Sequence, residues 1–175
     1  MSKQVKETTE TTTTVTPTTA AQEMNLNDLT TLRNLCSWDL HFSLSSENRD
    51  LQISPNGILD SLTRREVISL CRNGNIFFVG TDGKGAHARI YIEDAPLREF
   101  LHFDNGAEKQ NILDDEKCNY ILELKTHSAF EKNIKEAIVT AAEKEKIIAY
   151  ARKVKLNDFD KINFLEEYTE KKFKI

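Results

Sequence analysis

Between Thr8 and Thr19 the chain is threonine, interrupted only by Glu10, Val15 and Pro17. A stretch of this kind cannot contribute to a hydrophobic core. It carries no aromatic residue and almost no large apolar group, so burial cannot offset the entropy lost on ordering. Threonine is β-branched and favours extended backbone. Pro17 lacks an N–H and resists helix. Residues 1–23 are therefore expected to form a flexible arm that orders only as an extended strand on a partner. Thr8, Thr11, Thr13, Val15 and Pro17 are its expected contact residues. The core must come from the rest of the chain.

With 175 residues, 39% of them hydrophobic and 30% charged, the chain suits one soluble domain with appendages. The formal net charge is −4. Residues 107–175 hold fourteen basic and fourteen acidic groups, so the excess lies wholly in residues 1–106. General nucleic-acid binding has no electrostatic support in that balance. Cys36, Cys71 and Cys118 lie 35 and 47 residues apart among apolar neighbours. This is neither a disulfide framework nor a zinc pattern, and the expectation is three buried thiols. The N-terminus lacks the basic-then-apolar order of a signal peptide. No apolar run approaches the ~20 residues that span a bilayer. The expected location is the cytoplasm, or a particle assembled there.

Residues 24–106 read as a compact α/β domain. Asn27 or Asp28 is placed to cap a short helix carrying Leu29, Leu32 and Leu35. From Trp38 to Leu44 apolar and polar residues alternate, which predicts a strand with one buried face. Leu51 and Ile53 continue the alternation, and Pro55-Asn56-Gly57 signals a turn. Thr63-Arg64-Arg65-Glu66 is a capping box that opens a helix through Val67, Ile68 and Cys71. Gly74 stops it. Ile76–Val79 reads as a short strand, joined through a glycine-rich turn to a second strand at Ala88, Ile90 and Ile92. Asp94-Ala95-Pro96 starts a short turn or helix with Leu97, Phe100 and Leu101, with a strand as the alternative.

Residues 107–175 read as a charged helical segment. Asp114 begins a helix. Ser128–Glu131 looks like a second capping box, ahead of a stripe of Phe130, Ile134, Ala137, Ile138 and Ala141 and then Ile147, Ile148, Ala151 and Val154. Asn157 is placed to cap a last helix with Phe159, Ile162, Leu165 and Tyr168. Each stripe is narrow and must be buried against something. Glu143-Lys144-Glu145-Lys146 reads as a solvated face. The fold class is thus α+β: a small, mainly antiparallel sheet with one or two short helices, followed by a C-terminal helical segment.

The sharpest chemical pattern is Gly80-Thr81-Asp82-Gly83-Lys84-Gly85-Ala86-His87. Glycines around a lysine can offer amides to phosphate. A P-loop, however, needs Lys-Ser/Thr and a following helix. The ordinary explanation is a hairpin turn with Asp-Gly at its apex, and Asp82, Lys84 and His87 are the candidate partner-binding residues. His41, His87, His102 and His127 are scattered without ligand spacing. His41 falls on the polar side of its strand, and His102 is expected to be half-buried. No nucleophile context accompanies them. No catalytic, cofactor or metal residue is assigned. Arg64, Arg65 and Arg72 are offset by Asp60 and Glu66, and read as an ordinary solvated helix face.

Two stretches carry a resemblance. One is Leu62-Thr63-Arg64-Arg65-Glu66-Val67 through Gly74-Asn75, then Phe78 to Ala88 and Ile90-Tyr91-Ile92-Glu93-Asp94. The other is Asn157-Asp158-Phe159-Asp160-Lys161-Ile162 to Glu166-Glu167-Tyr168-Thr169. Together they resemble small accessory proteins from the structural regions of tailed-bacteriophage genomes, crAss-like phages among them. The resemblance implies a virion structural protein, an auxiliary capsid or neck/portal-vertex component assembled in the bacterial cytoplasm. It implies other virion proteins as partners, capsid or portal/neck subunits, and is compatible with a homo-oligomer. It carries over no catalytic residue, no cofactor and no membrane. A small intracellular adaptor acting through the C-terminal helices is the alternative.

Overall fold

A computed structural model describes residues 24–44 and 48–173 of the chain. The arm with Thr8, Thr11, Thr13, Val15 and Pro17 lies outside the described residues. The fold is α+β, with two small antiparallel sheets and a C-terminal helical segment. A first sheet is built from β1 (Leu29–Asn34), β4 (Ile58–Thr63) and β5 (Ile90–Ile92), in the order β4-β1-β5. A two-stranded sheet pairs β2 (Leu40–Leu44) with β3 (Arg49–Ile53). The helices α1 (Arg64–Arg72) and α2 (Ile76–Val79) lie between β4 and β5 in sequence, and α3 (Ala95–Phe100) follows β5. Four helices follow: α4 (Asp115–Glu123), α5 (His127–Ala137), α6 (Ala141–Lys153) and α7 (Phe159–Thr169).

The capping box before α1 is present in full. Thr63 accepts from the Glu66 amide, and the Glu66 carboxylate accepts from the Thr63 amide at 2.6 Å. Burial opposes the ionised Glu66 carboxyl, but the Thr63 backbone and hydroxyl bonds and Arg49 outweigh it and hold its pKa below the ordinary value. Asp94 caps α3 and Asp114 caps α4, as their side chains accept the amides of Leu97 and Lys117.

Several expectations are corrected. The leucines at 29, 32 and 35 do not form a helix, because residues 29–34 are β1 and the inward positions are Thr30, Leu32 and Asn34. Asn34 tolerates burial because its side-chain amide donates to the carbonyls of Trp38, Ile53 and Ser54. The stretch after Pro55-Asn56-Gly57, unassigned by the pattern, is β4 and pairs with β1 through a bulge between Thr30 and Leu32. Ile76–Val79 is a single helical turn, not a strand. Asn75 caps it by accepting from Phe77, and Gly80 ends it at φ +66°. The glycine-rich segment is consequently no hairpin: it links α2 to β5, whose partner is β1.

In the helical half, the cap of α5 is Thr126 rather than Ser128, and Glu131 instead pairs with His127 and Lys135. The stripe from Phe130 to Val154 is broken at residues 138–140, where Thr140 and Glu143 form a capping box that starts α6. Asp158, not Asn157, caps α7. Phe159, expected on the apolar stripe, is exposed. His102 is exposed, with φ +60°, rather than half-buried.

Two hydrophobic cores result. The first gathers Leu32, Leu62, Val67, Phe78, Ile90, Ile92 and Leu97 beneath the sheets, with Phe42 edge-on to Phe78. The second gathers Ile121, Phe130, Ile134, Ile138, Ile147 and Leu165 among α4–α7. Burying side chains of this size contributes roughly 1.5–3 kcal/mol each. Ala142 of α6 packs on the first core, so the two halves share a junction at the start of that helix.

Candidate functional site

The residues singled out at 80–87 are held largely by bonds internal to the fold. The Asp82 carboxylate accepts the amides of Lys84 and Ala86 at 2.8 and 3.0 Å, which closes the loop on itself. Thr81 donates to the Ala86 carbonyl, and Gly85 to that of Val79. Gly85 takes φ +90°, and a Cβ there would lie 2.8 Å from the Phe103 ring and 2.9 Å from the Gln110 amide. Only glycine fits that approach. The Asp82 and Lys84 residues remain exposed at the loop's apex.

His87 faces inward instead. It holds φ +58°, and its amide donates to the Asn111 carbonyl at 2.9 Å. Its Nδ1 lies 2.7 Å from Glu143 Oε1, with both side chains almost wholly buried. The other carboxylate oxygen of Glu143 accepts the amides of Val139 and Thr140, each at 2.9 Å. One carboxylate therefore caps α6 and binds the loop of the first half. Glu143 belongs to no solvated face, contrary to the reading of the Glu143–Lys146 run. A second tie crosses nearby, from the Ser37 hydroxyl to Glu145 at 2.6 Å. The structure thus separates Asp82 and Lys84, on the surface, from His87, in the junction.

A cleft of about 940 Å³ opens beside this junction, between the β1/β5 side of the sheet and the helices α4 and α6. Several of its charged groups are paired. Arg33 meets Glu93 at 2.5 Å, and Asp115 meets Lys153 at 3.1 Å and Lys146 at 3.7 Å. Arg98, buried, binds Asp104 at 2.9 Å, donates to the Ile92 carbonyl and lies over the Tyr91 ring. Gln110 donates to the Gly85 carbonyl, while its side-chain oxygen has no partner among the described residues.

Arg64 is not a free surface cation. Its guanidinium reaches Asp94 at 2.6 Å and Asp28 at 3.0 Å. Cys36, Cys71 and Cys118 are all buried and unpaired, as expected. Burial pushes the Cys36 thiol up to about 11 and those of Cys71 and Cys118 up to about 12. Such thiols are poor nucleophiles. Among the described residues no group of three or more His, Cys, Asp or Glu converges as a metal site, and no helix is long and apolar enough to cross a membrane.

Fold and site together define an α+β body with a tied helical segment. No protein-family model, curated protein or solved structure matches the chain. The His87–Glu143 contact was beyond sequence reasoning, because 56 residues separate its partners. The one legible signal is Thr140-x-x-Glu143, which has the spacing of a capping box.

Proposed function

We propose that this chain is a non-enzymatic assembly protein of a tailed-phage particle. It serves as an auxiliary capsid or neck/portal-vertex component and joins neighbouring subunits through its N-terminal arm and body surface. The observation that carries this reading is a threonine-rich arm, incapable of building a core, rooted on a folded body. The root is specific: the carbonyls of Leu26 and Asp28 accept the amides of Arg65 and Arg64 at 3.0 and 2.9 Å. Further support comes from the commitments of the groups that could have carried chemistry. Asp82 closes a loop, His87 binds Glu143, and the three thiols are buried.

An adaptor acting through its C-terminal helices has less support, because α4–α7 bury their apolar stripes on one another. Mass spectrometry of purified particles tests the role. The chain should be present at a fixed copy number, and deleting residues 1–22 should lower its incorporation. Absence from particles would end the proposal, and normal incorporation of the truncated chain would end the part given to the arm.

A further inference from the structure

The two edges of the main sheet differ. At β5 the carbonyl of Ile92 is taken by the buried Arg98 guanidinium. At β4 the inter-strand bonds run only to β1, and at the strand's C-terminal end the Thr63 amide is taken by the Glu66 carboxylate. Asn34 donates to the Gly57 carbonyl at 2.9 Å. That phase puts the paired positions at residues 57 and 59. By the alternation of an antiparallel ladder, the N–H and C=O of Ile58 point away from β1. Ile58 is 63% exposed, and Asp60 and Ser61 are exposed beside it. The strand carries no proline or lysine; Asp60 and the bulge opposite Thr31 lie beyond Leu59, so the open template for a further strand is its start, around Ile58.

We infer that the outer edge of β4 is the acceptor for residues 8–16 of a second copy of this chain, added as an extra strand. This acceptor site rests on the assembly role proposed above. Residues 8–16 are seven threonines, a glutamate and a valine, β-favouring and almost uncharged, and they end before Pro17. At ~3.3 Å per residue they outreach the ~20 Å of a six-residue strand. Six residues is the length of β4.

The root of the arm argues for another copy rather than the same one. Residues 25–28 are bound at Arg64 and Arg65, immediately past the C-terminal end of β4. An arm folding straight back along its own β4 would set residues 18–23 against residues 58–63. That stretch is Thr-Thr-Ala-Ala-Gln-Glu, a weaker strand former. Residues 8–16 would then be carried beyond the start of the strand. Donation to a neighbour lets the threonine run meet the edge in full. The contact is head-to-tail, so copies close into a ring or extend as a filament.

Sedimentation of the full-length chain tests this with two variants. Ile58→Pro removes the outward amide without touching a β1 ladder bond. Thr11→Pro with Thr13→Pro removes donors from the arm. The wild-type chain should gain mass with concentration up to ~100 μM, a range in which weak interfaces assemble. Each variant alone should be monomeric. Their equimolar mixture should form a dimer and nothing larger, because one copy retains an arm and the other an edge. Ile58→Lys replaces Ile58→Pro if the proline variant loses its far-UV spectrum.

A monomeric wild type, a variant that associates like wild type, or a mixture that stays monomeric would each overturn the acceptor site. A chain present in particles but monomeric in solution would remove this site and leave the assembly role standing.

Discussion

Glu143→Ala is the substitution that most directly probes how the two halves are joined. In the wild-type chain one carboxylate accepts the amides of Val139 and Thr140 at 2.9 Å and meets His87 Nδ1 at 2.7 Å. Losing the Glu143 half of the capping box, while the Thr140 hydroxyl still accepts the residue-143 amide, costs about 1 kcal/mol. Leaving the buried His87 ring without its partner costs a further ~1–3 kcal/mol. The sum, about 2–4 kcal/mol, is a large fraction of the stability of a domain this size. His87→Asn removes only the second contribution, since asparagine tolerates the positive φ that His87 holds. Urea denaturation of the two single variants and the double gives the coupling. Trp38 fluorescence reports the first core, on which Trp38 packs, and far-UV circular dichroism reports the helices. The expected coupling is ~1–3 kcal/mol, in the range for residues in direct contact. The two probes should coincide in wild type and separate in Glu143→Ala, as the first half and the helical half lose their tie. A coupling below ~0.3 kcal/mol would mean that the two residues act independently and that the junction is held elsewhere.

Other outcomes follow from the same structure. The three thiols should resist a disulfide reagent such as DTNB at neutral pH and all react after unfolding; rapid labelling of the native chain would contradict their burial. Because folding raises their pKa from 9.0 to about 11 or 12, the unfolded thiols ionise first. Stability contributed this way is complete below pH 9 and should fall as pH rises above it. Glu66 acts at the other end of the scale: its carboxyl is depressed below 4.5, so its contribution is complete above that pH and lost as pH falls through the folded value. Urea midpoints measured across acid pH for wild type and Glu66→Gln should converge at the low end; parallel curves would count against the capping box as the cause. Gly80→Ala should cost at least ~2 kcal/mol, because its Cβ would fall 1.9 Å from the Ala86 carbonyl oxygen at φ +66°. Gly74→Ala, at φ +71° with open space around it, should cost only ~1 kcal/mol. Thermal melts showing equal losses for both glycines would refute the close approach at Gly80.

The pattern was most readable where a single local rule decides the structure. The Thr63–Glu66 box, the Asp94 and Asp114 caps and the alternation from Leu40 to Leu44 all specify their elements from adjacent residues. It failed where tertiary partners overrule local preference. Leucines spaced by three at 29, 32 and 35 look helical, yet β1 turns Thr30 and Asn34 inward, and carbonyls of the β2–β3 region accept the Asn34 amide there. Ile76–Val79 is a short apolar run, and periodicity cannot tell such a run from one buried helical turn. Glu143 looked like part of a charged surface because its partner, His87, is supplied by a distant loop.

Arg64 connects these local and distant features. It begins α1, so the Thr63–Glu66 box fixes where its backbone sits. From there its side chain draws together Asp94, the cap of α3, and Asp28, just before β1. Its amide and that of Arg65 hold the carbonyls of Asp28 and Leu26. The same residues that start a helix therefore set the point from which the N-terminal arm leaves the body. That point lies where β4 ends, which governs which part of an arm could lie along which strand. A segment that cannot fold through its own burial needs a fixed origin to find a partner's edge efficiently, because a shorter free tether searches a smaller volume. On the proposed docking of the arm, the arginine pair supplies that origin.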